Sequence, residues 1–444
     1  MRVKVKQGRE EINSIGGISL VGGLLKGLKN LKDVNKMSLG NIKSGYISHE
    51  GILKSFIGIF SMGKTDYADI EPFRKDAFFR DSLELKAVPS ESTLRQRGDE
   101  LALHPEVSSS VFNSNIELLK KVSDFGLEKT PYAEYIPFDV DVSPQDNSGS
   151  KKEGVSWTYK NHDGYAPILA YLGTHGYMLN CEQRPGSQHS NKGAAEFLEE
   201  CFDAIDELGL KNTVSRLDSA HDDDDIIKLH QDRGKHFIIK RNLRKESLEQ
   251  WLAMARRVGD CHSPREGKNI FTGVVSHLAP AGREDLKPVF AVFEVTERTI
   301  DRDGQILLLP EIEVNTFWTD LPEKPETVIK LYHNHGTSEQ FHSELKTDLD
   351  LERMPSGKFA TNALLLRLGM LAFNILRIIG QTGLKLKDLL PRKFNVQRRR
   401  LRSVMQDLVY IACKRVRHAG SIILKFGRHC PWFRVFQQLH LEFC

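Results

Sequence analysis

Polar and apolar residues alternate along residues 135–142, and this pattern predicts a β-strand with two chemically different faces. The apolar face consists of Ile136, Phe138, Val140 and Val142. Asp139 and Asp141 lie on the opposite face. The strand-like runs that follow are 165–172, 177–183, 213–217 and 236–240, and helical spacing is found at 192–208 and 222–231. This order of three strands, helix, strand, helix, strand predicts an α/β fold.

The regions around this α/β segment have different patterns. Residues before 129 show helical spacing, punctuated by Gly and Ser, whereas extended runs at 270–278, 289–299 and 311–319 predict a β-rich insertion. Helical spacing resumes near Pro325, and the chain ends in a basic region in which Lys414, Arg415 and Arg417 are expected on helices. The predicted units are 1–128 (helical), 129–243 (first part of the α/β core), 244–322 (insertion), 323–384 (second part of the core) and 385–444 (basic and helical).

One helix of the first unit has a clear start. Ser90 or Ser92 is positioned to cap it, and Arg95 and Arg97 lie in its first turns. Basic side chains there could reach DNA as in a helix-turn-helix recognition helix. An exposed capped helix in an all-α domain explains the same pattern equally well.

Charge is distributed unevenly along the 444 residues. The formal net charge is only +4, but residues 385–444 contain 14 basic and 3 acidic residues, and the remainder contains 49 and 56. A slightly acidic body with a strongly basic end indicates a polyanionic partner, nucleic acid first and an anionic membrane second. The tract Arg398, Arg399, Arg400 and Arg402 is its densest cluster.

Several classes of protein are disfavoured. The longest apolar stretch, 363–380, is interrupted by Arg367, Asn374 and Arg377, so we expect a core helix and no membrane span. No export signal is visible, and six cysteines without C-x-x-C spacing fit free thiols in a reducing cytoplasm. Neither a P-loop nor a dinucleotide-binding fingerprint is present, so no nucleotide cofactor is expected.

Three acidic positions could carry chemistry. Asp141 lies on the first strand, Asp218 at the carboxyl end of a later strand, and Glu339 on a helix beyond the insertion. Carboxylates supplied by such elements suit a site for two Mg²⁺ ions, since hard cations prefer oxygen ligands. Alternatively, Asp218 only caps the following helix.

A polar stripe surrounds Glu339. On a continuous helix, Tyr332, His335, Glu339 and Lys346 would project from one face, which suits a metal ligand flanked by phosphate-binding groups. Zinc is disfavoured because His333 and His335, two residues apart, do not face each other.

This stripe, Y-x-x-H-x-x-x-E-x-x-x-x-x-x-K, resembles the Y-x-x-R-x-x-x-E-x-x-x-x-x-x-K signature of DDE insertion-sequence transposases. Residues 138–371 resemble the thirteen-eighty family of bacterial insertion sequences. The matching segments are Phe138 to Ser143, Lys152 to Gly154, Asp163 to Pro167, Arg216 to Ser219 and Phe341 to Phe359.

The resemblance implies an RNase H-like catalytic core interrupted by the β-rich insertion and flanked by the helical N-terminal and basic C-terminal regions. Asp141, followed by Ser143, matches the first metal ligand, with Asp139 as runner-up; Asp218 and Glu339 match the second and third. The implied cofactor is a pair of Mg²⁺ ions, with Mn²⁺ as a substitute. Tyr332 and Lys346 match DNA-phosphate contacts, whereas His335 departs from the family's arginine.

The implied activity is cleavage of the ends of an insertion sequence and joining of the 3′-hydroxyl to target DNA. The implied partners are double-stranded DNA, as terminal inverted repeats and as target, and a second copy of the chain. A cytoplasmic, nucleoid-associated bacterial protein is expected. Trp318 near the end of the insertion could stack on an extruded base, although a core tryptophan is the simpler interpretation. Two alternatives remain open: an RNase H-like nuclease that cuts without joining, and a non-catalytic DNA-binding protein.

Overall fold

The computed structural model describes residues 3–8, 10–39, 46–277, 283, 285–419 and 421–444. The helices are α1 (Ile18–Lys26), α2 (Lys29–Asp33), α3 (His49–Phe60), α4 (Ala77–Ser82), α5 (Glu91–Leu101), α6 (Pro105–Leu119), α7 (Ala194–Glu207), α8 (Asp224–Arg233), α9 (Leu248–Val258), α10 (Pro325–His333), α11 (Ser338–Ser343), α12 (Phe359–Lys385), α13 (Leu401–Val404) and α14 (Phe433–Phe443).

The strands are β1 (Ile12–Asn13), β2 (Glu128–Lys129), β3 (Glu134–Val142), β4 (Gln145–Asp146), β5 (Ser156–Trp157), β6 (Asp163–Tyr165), β7 (Ile168–Leu172), β8 (Tyr177–Glu182), β9 (Thr213–Leu217), β10 (His236–Lys240), β11 (Asp260–Arg265), β12 (Lys268–His277), β13 (Val289–Ile300), β14 (Ile306–Thr319), β15 (Cys413–His418) and β16 (Ser421–Phe426). The predicted run 270–278 corresponds to β12, except that residue 278 lies outside the described residues.

A large mixed sheet organises the molecule, with strand order β11-β12-β13-β14-β10-β9-β3-β7-β8 and β2 paired onto β3. On one side of β3, β7 pairs antiparallel with β3 and β8 pairs antiparallel with β7. On the other side, β9 and β10 run parallel to β3. The strands of the predicted insertion continue this sheet, because β14 pairs antiparallel with β10. The strands predicted for the α/β core and those predicted for the β-rich insertion therefore belong to one continuous sheet.

Both faces of β3 are covered by helices. On one face the Phe138 ring lies 6.0 Å from that of Phe202 in α7. On the other face Tyr171, paired with Asp139 across the sheet, contacts Phe341 of α11 at 5.2 Å and Phe373 of α12 at 6.0 Å between ring centroids. The face that carries the aspartates is therefore closed by α11 and α12.

The long helix α12 forms the spine of the core. It is the one helix in the described ranges that is long and apolar enough to span a bilayer, and 89% of its most apolar window is buried inside the protein. Its polar residues have partners there: Asn374 donates from Nδ2 to Asn115 Oδ1 and to the Met178 carbonyl, each at 2.7 Å. This burial agrees with the core helix expected from the sequence.

The prediction of a wholly helical C-terminal region is wrong. Lys414, Arg415 and Arg417 lie on β15, which pairs with β1 and β16. An alternation of burial is typical of such a strand: Cys413 and Arg415 are buried, whereas Lys414 and Val416 are more exposed. Arg415 is held inside by an ion pair with Asp81 of α4.

A buried charge cluster ties the C-terminal region to the helices above the sheet. Glu344 is 1% exposed and accepts hydrogen bonds from Arg377 at 2.5 Å and from Arg398. It opens a π-helical turn, Glu344–Asp348, and Asp348 is paired with Arg400 at 2.8 Å. Two carboxylates thus anchor two members of the basic tract.

Substituting Glu344→Gln is expected to destabilise the chain by about 3–5 kcal/mol, because two arginines lose their shared carboxylate in a buried site. The midpoint of urea unfolding measures this. Glu311→Gln is the matched control, since Glu311 is 63% exposed and pairs with Arg298 at the surface. Its effect should stay below about 1 kcal/mol. Equal midpoints for the two variants would contradict the anchoring role of Glu344.

Candidate active site

Asp141 and Asp218 meet at the carboxyl ends of two adjacent parallel strands. The register pairs Val140 of β3 with Leu217 of β9, so the next residue on each strand is one of these aspartates. Burial, and after it the nearby charge of Asp218, raise the pKa of Asp141 to about 6. The structure therefore brings two of the three predicted metal ligands together.

Asp218 also caps the turn that follows it. Its side chain accepts from the Ala220 amide at 3.2 Å and contacts His221 Nδ1 at 2.7 Å. Burial alone would raise the pKa of Asp218, but the hydrogen bond and charge of His221, the Ala220 amide and the charge of His335 together lower it. The capping interpretation is thus correct for the 3₁₀ turn Ser219–His221, whereas α8 is capped separately by Asp223.

Asp139, the runner-up ligand, has a different environment. It is 2% exposed, and Arg216 donates to both its oxygens, from Nε at 2.6 Å and from Nη2 at 2.7 Å. His335 Nδ1 contacts the same carboxylate at 2.8 Å. Burial would raise the pKa of Asp139, but these cations lower it to about 2. With both oxygens engaged, Asp139 is poorly placed to bind a metal, which favours Asp141.

The expectation that four residues share one continuous helical face is wrong. α10 ends at His333, a 3₁₀ turn spans Asn334–Thr337, and α11 follows. Each residue rotates by about 120° in a 3₁₀ turn and about 100° in an α-helix. Over the three steps from His335 to Ser338, the 3₁₀ turn therefore adds about 60° of rotation to that of a continuous α-helix. As a result, Glu339 lies about 100° around the helix axis from His335, whereas His342 lies only about 40° from it.

The contacts agree with that rotation. Glu339 is exposed and lines an open cleft with Arg398 and Arg400, whereas His335 faces Asp139. His342 Nδ1 lies 3.9 Å from Asp141 Oδ2, and burial lowers the pKa of His342 to about 3. The sequence interpretation considered His342 only as a zinc ligand and gave it no place beside Asp141; the signal for that place was its seven-residue spacing from His335.

Tyr332 and Lys346 border the two carboxylates. The Tyr332 ring packs on Phe317 at 4.6 Å; burial raises the pKa of Tyr332, and the charges of Asp218 and Asp141 raise it further. Lys346 donates from Nζ to the Pro144 carbonyl, just beyond the end of β3, and burial lowers its pKa to about 8. Two of the predicted phosphate-binding groups therefore lie beside Asp141.

Most arginines of the basic tract have intramolecular partners. Besides the pairs that Arg398 and Arg400 form with Glu344 and Asp348, Arg399 is 3% exposed, pairs with Asp407, and lies over the Trp432 ring at 4.4 Å. Only Arg402 of this tract is exposed without a described ion pair.

The predicted helix start in the first unit is confirmed. Ser90 caps α5 and accepts from the Thr93 amide at 3.2 Å. Arg95 is exposed, whereas Arg97 contacts His49 at 2.7 Å and pairs with Glu100. Arg95 is therefore the better candidate of the two for contacting a partner.

Trp318 is a core residue in this structure. It is 8% exposed, its indole N–H donates to Asp222 Oδ1 at 2.8 Å, and Arg241 lies over its ring at 4.3 Å. This agrees with the simpler of the two interpretations of Trp318.

The acidic pair has the chemistry of a divalent-cation site that lacks its remaining ligands. Among the described residues, neither Asp141 nor Asp218 pairs with a lysine or arginine, and no group of three or more His, Cys, Asp or Glu side chains is positioned to hold a metal. Two neighbouring carboxylates with no strong countercharge nevertheless favour binding of a cation, since a divalent ion offsets both the burial and the repulsion by Asp218 that raise the pKa of Asp141.

Comparisons with known proteins bear on the family of this chain. Among solved structures, the piggyBac transposase in a cryo-EM synaptic complex with hairpin DNA is similar at 11% identity and a TM-score of 0.44, over 88% of this chain and 79% of that one. No curated protein matches the sequence. The family model described as "Transposase DDE domain group 1" matches residues 1–443, and this chain therefore belongs to that family of DDE transposase domains.

Proposed function

We propose that this protein is a DNA transposase that cleaves the ends of an insertion sequence and joins the 3′-hydroxyl to target DNA. The observation that carries the proposal is the pairing of Asp141 and Asp218 at adjacent strand ends, without a lysine or arginine partner among the described residues, in a chain of the DDE transposase family. The proposed partners are double-stranded DNA, as element ends and as target, and a second copy of the chain, because two ends must be brought together.

The proposed catalytic core is RNase H-like. The strand order β8-β7-β3-β9-β10, antiparallel on one side of β3 and parallel on the other, supports it. In mixed sheets of this kind, ligands bind outside the carboxyl ends of parallel strands, which is where both aspartates lie.

Asp141 and Asp218 would hold two Mg²⁺ ions, which supply charge neutralisation and activation of the attacking oxygen when bound. The residues of the chain position the DNA around that pair. Lys346 and Tyr332, which lie near the carboxylates, would donate to phosphate oxygens. The Nδ1 atom of His335 is bonded to Asp139, so only Nε2 is available to contact a phosphate. An arginine at this position would instead make a bidentate contact with the phosphate.

Glu339 is proposed as the third ligand on the strength of the signature spacing alone. In this structure its side chain lines the cleft with Arg398 and Arg400. To hold metal together with Asp141 and Asp218, the Glu339 side chain would have to turn from this cleft toward the two aspartates.

Asp141→Asn, Asp218→Asn and Glu339→Gln are each expected to lower DNA cleavage by at least about a thousandfold, because transition-state charge stabilisation worth several kcal/mol is lost. Binding of the same DNA in Ca²⁺ should change little. Cleavage of a labelled element end in Mg²⁺ measures activity, and the products distinguish joining from cutting alone. Near-normal cleavage by Glu339→Gln would remove Glu339 from the site.

Asp225→Asn is the matched control, since Asp225 is 80% exposed and lies on the helix after Asp218. Asp139→Asn is not a neutral control, because it removes the buried partner of Arg216. If the Asp225 variant lost activity as fully as the Asp218 variant, the loss would reflect general damage.

Neutralising Arg95 and Arg402 together is expected to flatten a plot of log DNA affinity against log salt, by about 0.9 for each phosphate contact removed. Both residues are exposed, whereas the other arginines of the basic tract have carboxylate partners. Arg298→Gln is the control, because Arg298 is paired with Glu311 and Glu313. An unchanged slope in the double variant would place the DNA elsewhere.

A further inference from the structure

A small antiparallel sheet stands directly beside the carboxylate pair. β4, β6 and β5 pair in that order, and β4 begins three residues after the end of β3. The turn after β5 is closed by Thr158, whose amide and hydroxyl both donate to the His162 carbonyl at 2.9 Å. The turn is thus a defined structure at the rim of the site.

Two large aromatic residues at the end of β5 and the start of this turn are exposed. Trp157 and Tyr159 are each 59% exposed, and they flank Thr158, which is 1% exposed. Thr158 therefore anchors the segment inward while its two neighbours project outward. Exposed aromatic surface of this size commonly marks a binding site when it is clustered.

Tyr159 is fixed next to the catalytic strand. Its hydroxyl donates to the Val142 carbonyl at 2.8 Å, one residue beyond Asp141. This bond holds the ring at one place while much of the ring remains in contact with solvent. An immobilised ring loses little conformational entropy when a second planar group stacks on it.

Exposed lysines lie near the same rim. Lys160 is exposed on the turn and Lys151 is exposed between β4 and β5, and Lys160 is near enough to His342 and Lys346 to lower the pKa of both. Lys160 and Lys346 therefore place two positive charges near each other beside Asp141. Aromatic rings interleaved with lysines are the combination that binds a single nucleic-acid strand.

We propose that Trp157 and Tyr159 form a stacking surface for an unpaired base of the DNA strand that lies across Asp141 and Asp218. The proposal rests on the proposed function, in that DNA is the substrate of the carboxylate pair. The buried ring of Trp318 offers no comparable surface. Stacking of this kind tolerates any sequence, because every base has a π-face.

The test uses the full chain in Ca²⁺ and two versions of one short DNA duplex. One version is blunt, and the other carries an unpaired tail of about four thymidines, the lower end of single-strand site sizes. The wild-type chain is expected to bind the tailed duplex at least about fivefold more tightly than the blunt one, in line with one base–aromatic stack. Trp157→Ala and Tyr159→Ala should each reduce that ratio towards one.

Tyr132→Ala is the matched control, because Tyr132 is 62% exposed but lies on the turn before β3, away from the small sheet. It should keep the wild-type ratio. Tyr159→Phe keeps the ring and loses the bond to Val142, so an intermediate ratio is expected. Thermal unfolding establishes that each variant is folded.

A wild-type ratio of one, or equal ratios in the wild type and both alanine variants, would overturn the stacking surface. A chain that prefers the tailed duplex through Trp157 and Tyr159 but never cleaves DNA in Mg²⁺ would retain the stacking surface and lose the proposed transposase activity. The two failures are therefore distinguishable.

Discussion

The buried ion pair between Asp139 and Arg216 is the constraint on which the site depends. These residues face each other across β3 and β9, two positions before Asp141 and Asp218 on their respective strands. Arg216 also donates to Glu128 at 2.6 Å and to the Leu331 carbonyl at 2.8 Å, while Asp139 contacts His335. One bidentate pair thus sets the strand register and ties the following helices to it.

The Asp139–Arg216 pair and the neighbouring carboxylates Asp141 and Asp218 differ in how their charges are compensated. Asp139 has its charge fully compensated, and its pKa is held at about 2, whereas Asp141 has a pKa raised to about 6. Removing either partner of the compensated pair would leave an isolated buried charge, so its role is structural. The charged form of Asp141 is unfavourable for folding on its own, which is expected of a site built to bind a cation.

Local pattern was enough to place Asp141 on the first strand and Asp218 at a strand end, because strand alternation and strand ends depend on neighbouring residues, whereas the preference for Asp141 over Asp139 came from the family resemblance. The orientation of Glu339 was not predicted, since a short 3₁₀ turn rotates the helix; Asn334 and Gly336, both poor helix formers, are the local signal of that turn. From the sequence, the positive charges of Arg398 and Arg399 suggested a DNA-binding surface. In the structure Arg398 pairs with the distant Glu344 and Arg399 is buried, and neither fact can be inferred from neighbouring residues. The exposed Trp157 and the buried Trp318 likewise differ through tertiary packing.

Thermal unfolding of the wild type and Asp141→Asn, in EDTA and in Mg²⁺ at pH 8, tests the central claim most directly. The raised pKa of Asp141 means that its charged form costs folding free energy above about pH 6, so the variant should be the more stable one in EDTA. Saturating Mg²⁺ should raise the unfolding temperature of the wild type by a few degrees and that of the variant much less. No response of the wild type to Mg²⁺, or an equal rise in both proteins, would contradict a metal site at Asp141 and Asp218.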